Sequence, residues 1–202
     1  REGFSAVVLA YNAGKSGLCV DATQQAGQAL LARIAARCDV VVQNFRAGVA
    51  DQLRVGYDAL SAGHPGLVYL SISGFGNEGE WASRPATQNV LQAVGGIMHA
   101  NRAEDGTPQR VGLYLADLAT AIYGAQMVCA ALLRRATTGR GRHLQLSLLE
   151  ACCALQASNI ADVAFAQGAS LPRTATAPSG IFVVRDGHLT LATLDDAMFQ
   201  RV

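Results

Sequence analysis

The sequence predicts an α/β fold built on a parallel sheet, and three observations carry that reading. Three short apolar runs read as strands: Leu18-Cys19-Val20-Asp21, Asp39-Val40-Val41-Val42-Gln43 and Gly66-Leu67-Val68-Tyr69-Leu70-Ser71-Ile72. Helical stretches separate them, which is the layout of parallel strands joined by right-handed crossovers. The chain has 202 residues, half of them hydrophobic, and a mean hydropathy of +0.22. That is enough to bury a sizeable core as one large domain, or one domain and a fragment of another.

In chain order, Ala26, Leu30, Ile34 and Ala35 share one face of a helix over 23–37, between the first two strands. The second strand empties into Asn44-Phe45-Arg46-Ala47-Gly48, a loop at a strand's carboxyl end, where α/β sheets bind ligands. Short helices follow over 49–53 and 57–62, then His64-Pro65 and the third strand. After a glycine loop at 74–79, a helix over 87–97 ends near Gly95-Gly96. A polar loop at 101–109 leads to a long helix from Leu118, whose buried stripe is read as Leu118, Ile122, Ala125, Val128, Cys129, Leu132 and Leu133. His143 to Ser147 alternates as a strand, and one helix is expected over 148–165. Gln167 to Gly180 is rich in Gly, Ser, Pro, Thr and Ala and reads as a linker, before a hairpin with strands at 181–184 and 188–192. The expected domains are a large α/β domain at 1–170 and a truncated small domain at 171–202.

Charged residues make up only 15% and the net charge is +1, so nothing supports a nucleic-acid or membrane-surface partner. The low charge suggests surface covered by a partner or by further parts of the protein. No apolar run is read as long enough to span a bilayer, because Thr120, Tyr123 and Gln126 fall on the other face of the long helix. Cys19, Cys38, Cys129, Cys152 and Cys153 match neither a disulfide framework nor a zinc site, and read as buried thiols of a soluble cytoplasmic protein. Both ends of the sequence look cut.

Several motifs yield to plainer readings. Gly74-Phe75-Gly76-Asn77-Glu78-Gly79 matches G-x-G-x-x-G after a strand, but Glu80 to Pro85 delay the helix whose amides would hold a pyrophosphate. Gly14-Lys15-Ser16 lacks the earlier glycine of a P-loop. The four histidines have no metal-ligand spacing and read as surface or turn residues. Cys152-Cys153 lies inside a helix without an adjacent base to activate a thiol. Arg134, Arg135, Arg140 and Arg142 read as the cationic last turn of a helix, with a phosphate contact as the alternative.

One carboxylate stands apart. Asp117 falls in the first turn of the long helix, where unpaired amides and the helix dipole favour an ionised side chain. On position alone the simplest role is an N-terminal cap.

Four segments in register, 39–48, 67–76, Asp117 with its helix, and 138–151, resemble the successive signatures of the class III CoA-transferases. That family includes formyl-CoA:oxalate and carnitine CoA-transferases and α-methylacyl-CoA racemases. The resemblance runs from about Asn12 to Phe199. It implies a Rossmann-like large domain, a smaller domain beyond a linker, an interlocked homodimer, and family sequence lacking before Arg1 and after Val202. It implies that Asp117 is the catalytic nucleophile, forming a mixed anhydride and a thioester with acyl-CoA, and that CoA and a carboxylic acid are substrates with no tightly bound cofactor or metal. Family CoA-binding positions fall on Val20, Asp21, Ala22 and Thr23, on Asn44, Phe45 and Arg46, on Gln52, and on Ala86, Thr87 and Gln88. Ser179 and Gly180 resemble the start of the loop that closes over the site.

The chain also departs from the family pattern. Asn12-Ala13-Gly14-Lys15-Ser16 lacks two expected cations, Gln43 stands for a glutamate, and Gln52 for a common basic residue. Thr87-Gln88 replaces an aromatic or histidine followed by Asp or Glu. Neither side chain exchanges protons near neutral pH, which disfavours racemisation. A silent homologue, or one half of a fused pair, is the alternative reading.

Overall fold

The computed structural model describes residues 3–103, 105–167 and 176–202. They fall into two compact units, divided between Leu155 and Gln156. The first contains α1 (Ala6–Tyr11), α2 (Gln25–Ala35), β1 (Val40–Gln43), α3 (Val49–Gln52), α4 (Tyr57–Ser61), β2 (Val68–Ser73), α5 (Gln88–Val94), α6 (Ile97–Ala100), α7 (Leu115–Thr138), β3 (Arg142–Ser147) and α8 (Leu148–Leu155). The second contains α9 (Ala157–Ala166), the antiparallel hairpin of β4 (Ser179–Val184) and β5 (Gly187–Ala192), and α10 (Asp196–Phe199). The expected linker lies partly outside the described residues, as does the expected boundary at 170/171.

The sheet of the first unit is parallel, in the order β1-β2-β3, with Val40 beside Val68 and Leu70 beside Leu144. β2 lies in the middle, and Val68, Tyr69, Leu70 and Ser71 are all buried. Its alternation sends Val68 and Leu70 to one face, where they join Leu144, Leu146 and Ala131 with Tyr123, Met127 and Val128 of α7. Tyr69 faces the other way and packs with Leu67, Ala35 and Leu60. A strand covered by helices on both sides reads as a continuous apolar run, which is how it reads in the sequence.

A third cluster closes the carboxyl end of the sheet. Leu91, Ile97, Ala116 and Cys152 are buried there, with Phe75, Ala86, Val111, Leu115 and Leu148 packed around them. Leu91 is fully buried, so truncating it to alanine would cost about 2–5 kcal/mol. α8 begins in this cluster with a capping box: Glu150 Oε2 accepts from Ser147 N–H at 2.7 Å, and Ser147 Oγ accepts from Glu150 N–H at 3.0 Å.

Several expectations need correction. Leu18 to Asp21 forms no strand; Asp21 Oδ1 instead accepts from Thr23 N–H at 2.9 Å and Thr23 Oγ1 at 2.6 Å, which turns the chain there. α1 has no counterpart in the sequence reading. The helix expected over 148–165 is interrupted at Gln156, whose backbone (φ −110°, ψ 20°) is not helical. The buried face of α7 is rotated from the expected one: Ala116, Ala119, Thr120, Gly124 and Ala131 are buried, while Ile122 and Leu133 are 67% and 74% exposed. Small side chains let the helix lie close on the sheet, with Tyr123, Met127, Val128 and Leu132 half-buried beside them and Ile122 and Leu133 turned away.

α7 is also longer than read. It has 24 residues, with an 18-residue window of mean hydropathy 1.4, and is long and apolar enough to cross a membrane by length and composition. It packs on β2 and β3 through Tyr123, Met127, Val128 and Leu132, with 28% of that window buried. Its last turn is tied down by Arg135, which donates to Gly66 O at 3.0 Å and pairs with Asp39 at 2.7 Å. Of the cysteines, only Cys152 is buried, whereas Cys19 and Cys129 are exposed. His143 is not a surface residue; it stacks on Tyr57 with centroids 4.7 Å apart, shares a hydrogen bond with Ser71 at 2.9 Å, and is held below the usual histidine range chiefly by desolvation.

Gly141, just before β3, lies against the Leu67 carbonyl, where an added methyl group would overlap backbone atoms. Gly141→Ala should therefore lower unfolding stability by about 1–3 kcal/mol, read from the denaturant midpoint.

Candidate active site

A cavity of about 490 Å³ opens at the carboxyl ends of β1 and β2. Asn44, Phe45 and Arg46 line it from the loop after β1, Ser73 and Gly74 from the end of β2, and residues 82–88 from the opposite wall. Asp117, Thr120 and Ala121 of α7 complete it with Leu148. This is where a parallel α/β sheet offers its loops to a ligand. Gly74 brings two walls together, since a methyl group there would overlap the Ala86 side chain.

The glycine loop is a loop, as its context predicts. Gly76 has φ +101°, and Ser73 Oγ accepts from its N–H at 3.0 Å. Phe75 meets Trp81 edge-on with centroids 5.4 Å apart, and Arg84 lies over the Trp81 ring at 4.7 Å. Arg46 and Arg84 are both lining residues, and the Arg84 guanidinium, over Trp81, also pairs with Glu80 at 3.6 Å. Phe45 is 45% exposed and lines the cavity, and an aromatic ring there suits a planar group.

Asp117 is the third residue of α7, whose N-cap position is Tyr114 with no side-chain bond. It caps nothing: among the described residues no hydrogen bond reaches its carboxylate. Its side chain is open to the cavity, yet desolvation by the surrounding protein holds its pKa above the ordinary aspartate value. The sequence expectation that the helix dipole would favour ionisation is thus outweighed by desolvation.

The structure brings together Asn44, Phe45, Arg46, Ala86, Thr87, Gln88 and Asp117. Val20, Asp21, Ala22, Thr23 and Gln52 do not line the cavity. Asp21 is occupied with Thr23, which lowers its pKa, and Gln52 ends α3 in an exposed position. Ser179 and Gly180 open β4 in the second unit. Thr87 is the N-cap of α5, its Oγ1 accepting from Val90 N–H at 3.4 Å. Gln88 Oε1 accepts from Ala116 N–H at 3.0 Å, so this side chain closes the N-terminus of α7.

Sequence reasoning missed Arg84, Thr120 and Gln92. Gln92 is fully buried and bonded to Val111; the one available signal was a polar residue in the apolar run of α5. No group of three or more His, Cys, Asp or Glu side chains gathers into a metal site among the described residues.

A parallel α/β domain with an aspartate, two arginines and a part-exposed phenylalanine lining a cavity at its strand ends has the layout of a ligand-binding α/β protein. The family model for CoA-transferase family III matches residues 1–202. Succinyl-CoA:glutarate CoA-transferase of Mus musculus is 30% identical over 200 residues, 96% of this chain and 46% of that protein. Acetyl-CoA:oxalate CoA-transferase of Acetobacter aceti is 36% identical over 140 residues, 69% of this chain and 36% of that protein. A crystal structure of a CAIB/BAIF family protein from Brucella suis superposes with a TM-score of 0.81 at 34% identity, over 93% of this chain and 51% of that one. The chain belongs to CoA-transferase family III, and it spans about half or less of the length of these relatives.

Cys152 is no nucleophile in this setting: desolvation first, then the neighbouring Cys153 and Asp117, push its thiol up to about 11. At pH 8 in the folded protein, iodoacetamide should label exposed Cys19 and leave Cys152 unmodified until denaturant is added, as read by peptide mass spectrometry.

Proposed function

We propose that the full-length protein transfers CoA from an acyl-CoA donor to a carboxylic acid, with Asp117 as the nucleophile. The observation that carries this reading is an unpaired carboxylate facing the strand-end cavity of a family III chain. An Asp117 carboxylate oxygen attacks the thioester carbonyl, the C–S bond breaks, and CoA thiolate leaves with the electron pair. The thiolate then attacks the aspartyl carbonyl of the mixed anhydride, releasing the donor acid and leaving an aspartyl-CoA thioester. The acceptor carboxylate displaces the thiolate again, and the thiolate takes the acceptor acyl group, which regenerates Asp117. Each step exchanges one acyl bond for another, so no oxidant or net proton is needed.

The raised pKa fits this role, because a carboxylate poorly stabilised by its surroundings is a better nucleophile than one held by several donors. Phe45 suits the adenine ring, and Arg46 and Arg84 suit phosphates or a substrate carboxylate. Val20, Asp21, Ala22, Thr23 and Gln52 remain CoA contacts by family position, and Ser179 and Gly180 a closing loop. Racemisation finds no support, since Thr87 and Gln88 are committed to capping two helices. The reading extends to a homodimer.

Trapping with hydroxylamine tests it. The full-length protein, given succinyl-CoA or acetyl-CoA, should yield a modified Asp117 by mass spectrometry. No adduct with any bound donor would mark a silent homologue. Asp117→Asn should lower kcat by about a thousandfold or more.

The pH dependence has a definite sign. With its folded pKa raised, Asp117 becomes protonated at a higher pH than a free aspartate. The acid limb of kcat/KM should then have its midpoint above 3.8, and activity should fall as pH drops through it. For stability, the raised pKa means that the ionised form weakens the folded state above that pKa, and the cost is relieved as pH falls. Asp117→Asn should therefore have a Tm at pH 7 equal to or above the wild-type value.

A further inference from the structure

Two amide side chains of α5 fasten the segment that carries Asp117. Gln88 and Gln92 are four residues apart and so lie on one face of the helix. Gln92 Oε1 accepts from Val111 N–H at 2.9 Å, and its Nε2 donates to Val111 O at 3.2 Å and Leu113 O at 3.3 Å. Gln88 Nε2 also donates to Leu113 O, while its Oε1 accepts from Ala116 N–H at 3.0 Å. The run before Asp117 is thus held by side chains at Val111, Leu113 and Ala116 in succession.

The chemistry of these contacts calls for amides. Each side chain donates and accepts at the same time, which a carboxylate cannot do when ionised and an apolar group cannot do at all. Gln92 is fully buried, so its own amide has no water to replace a lost bond. Tyr114 offers no side-chain cap, which leaves Gln88 as the side chain at the open end of α7. By accepting from the Ala116 N–H, Gln88 satisfies one of the open donors in the first turn of α7, next to Asp117.

We propose that Gln88, braced by Gln92, is a positioning residue for Asp117, fixing the first turn of α7 through the Leu113 carbonyl and the Ala116 N–H. This rests on Asp117 as the nucleophile, and it replaces a CoA contact as the role of Gln88. A nucleophile at a helix start is only as well placed as that start, and a displacement of about 1 Å can cost a hundredfold in rate.

The test uses the full-length protein with Gln88→Met, of similar length but without hydrogen bonds, and Gln88→Glu, which keeps the acceptor and loses the donor. Single-turnover trapping at Asp117, kcat and KM for the acyl-CoA donor are measured, with thermal melts to establish folding. Gln88→Met should trap and turn over about 10- to 100-fold more slowly with KM changed by less than about threefold, and Gln88→Glu should recover part of the loss. If Gln88→Met does not fold, Gln88→Glu decides by the same split between kcat and KM. A raised KM with an unchanged trapping rate would make Gln88 a substrate contact and overturn the proposal. A wild-type adduct formed equally fast by Gln88→Met would overturn the clamp alone. No adduct in the wild-type protein would overturn the Asp117 reading and this one with it.

Discussion

Burial of β2 on both faces is the constraint from which the geometry of the cavity descends. Val68 and Leu70 hold α7 on one side, and Tyr69 with Leu67 holds Ala35 and Leu60 on the other. A strand in that position cannot slip by one residue without sending each apolar side chain to the wrong partners. Its carboxyl end is therefore fixed relative to α7, and Ser73 and Gly74 meet Asp117 across one cavity. The cluster of Leu91, Ile97, Ala116 and Cys152 then holds α5 and the start of α7 together at that end.

Two opposed effects act on Asp117. The N-terminus of a helix favours a negative charge by about 0.3–1 kcal/mol when exposed, whereas desolvation disfavours it. The pKa is raised, so desolvation prevails. Gln88 takes the Ala116 amide in the same turn, so one of the donors there is already engaged. The charge is thus held at a helix start with part of the usual stabilisation removed, a sensible condition for a group that must attack a carbonyl carbon.

The candidate site was legible in the sequence to the extent that chain order and loop position specify it. Asn44 to Arg46 after β1 were found that way and line the cavity, whereas Asp117, which lines it too, read by position as a cap and took its role from the family resemblance. The capping box of Ser147 and Glu150 was readable but unread. What could not be read is which residues meet across the chain. Gln92 was invisible because its partner, Val111, lies 19 residues away on a segment without regular structure. Gln88 looked like a lost acid, since its role depends on reaching an amide 28 residues further on.

The sequence by itself determined the α/β class, the strands at 40–43, 68–73 and 142–147, and the family, because these follow from local apolar pattern and from motifs in register, although the strand read at 18–21 does not form. Only the tertiary structure decided which face of α7 is buried. The sequence turned the stripe of larger residues from Leu118 to Leu133 inward, because a periodicity of hydrophobic residues takes no account of how closely small ones can pack. Contact with the sheet selected the face of small residues, Ala116, Ala119, Thr120 and Gly124, which permits close packing and turns Ile122 and Leu133 outward. The same choice set the rotation of α7, and with it the direction in which Asp117 meets the cavity.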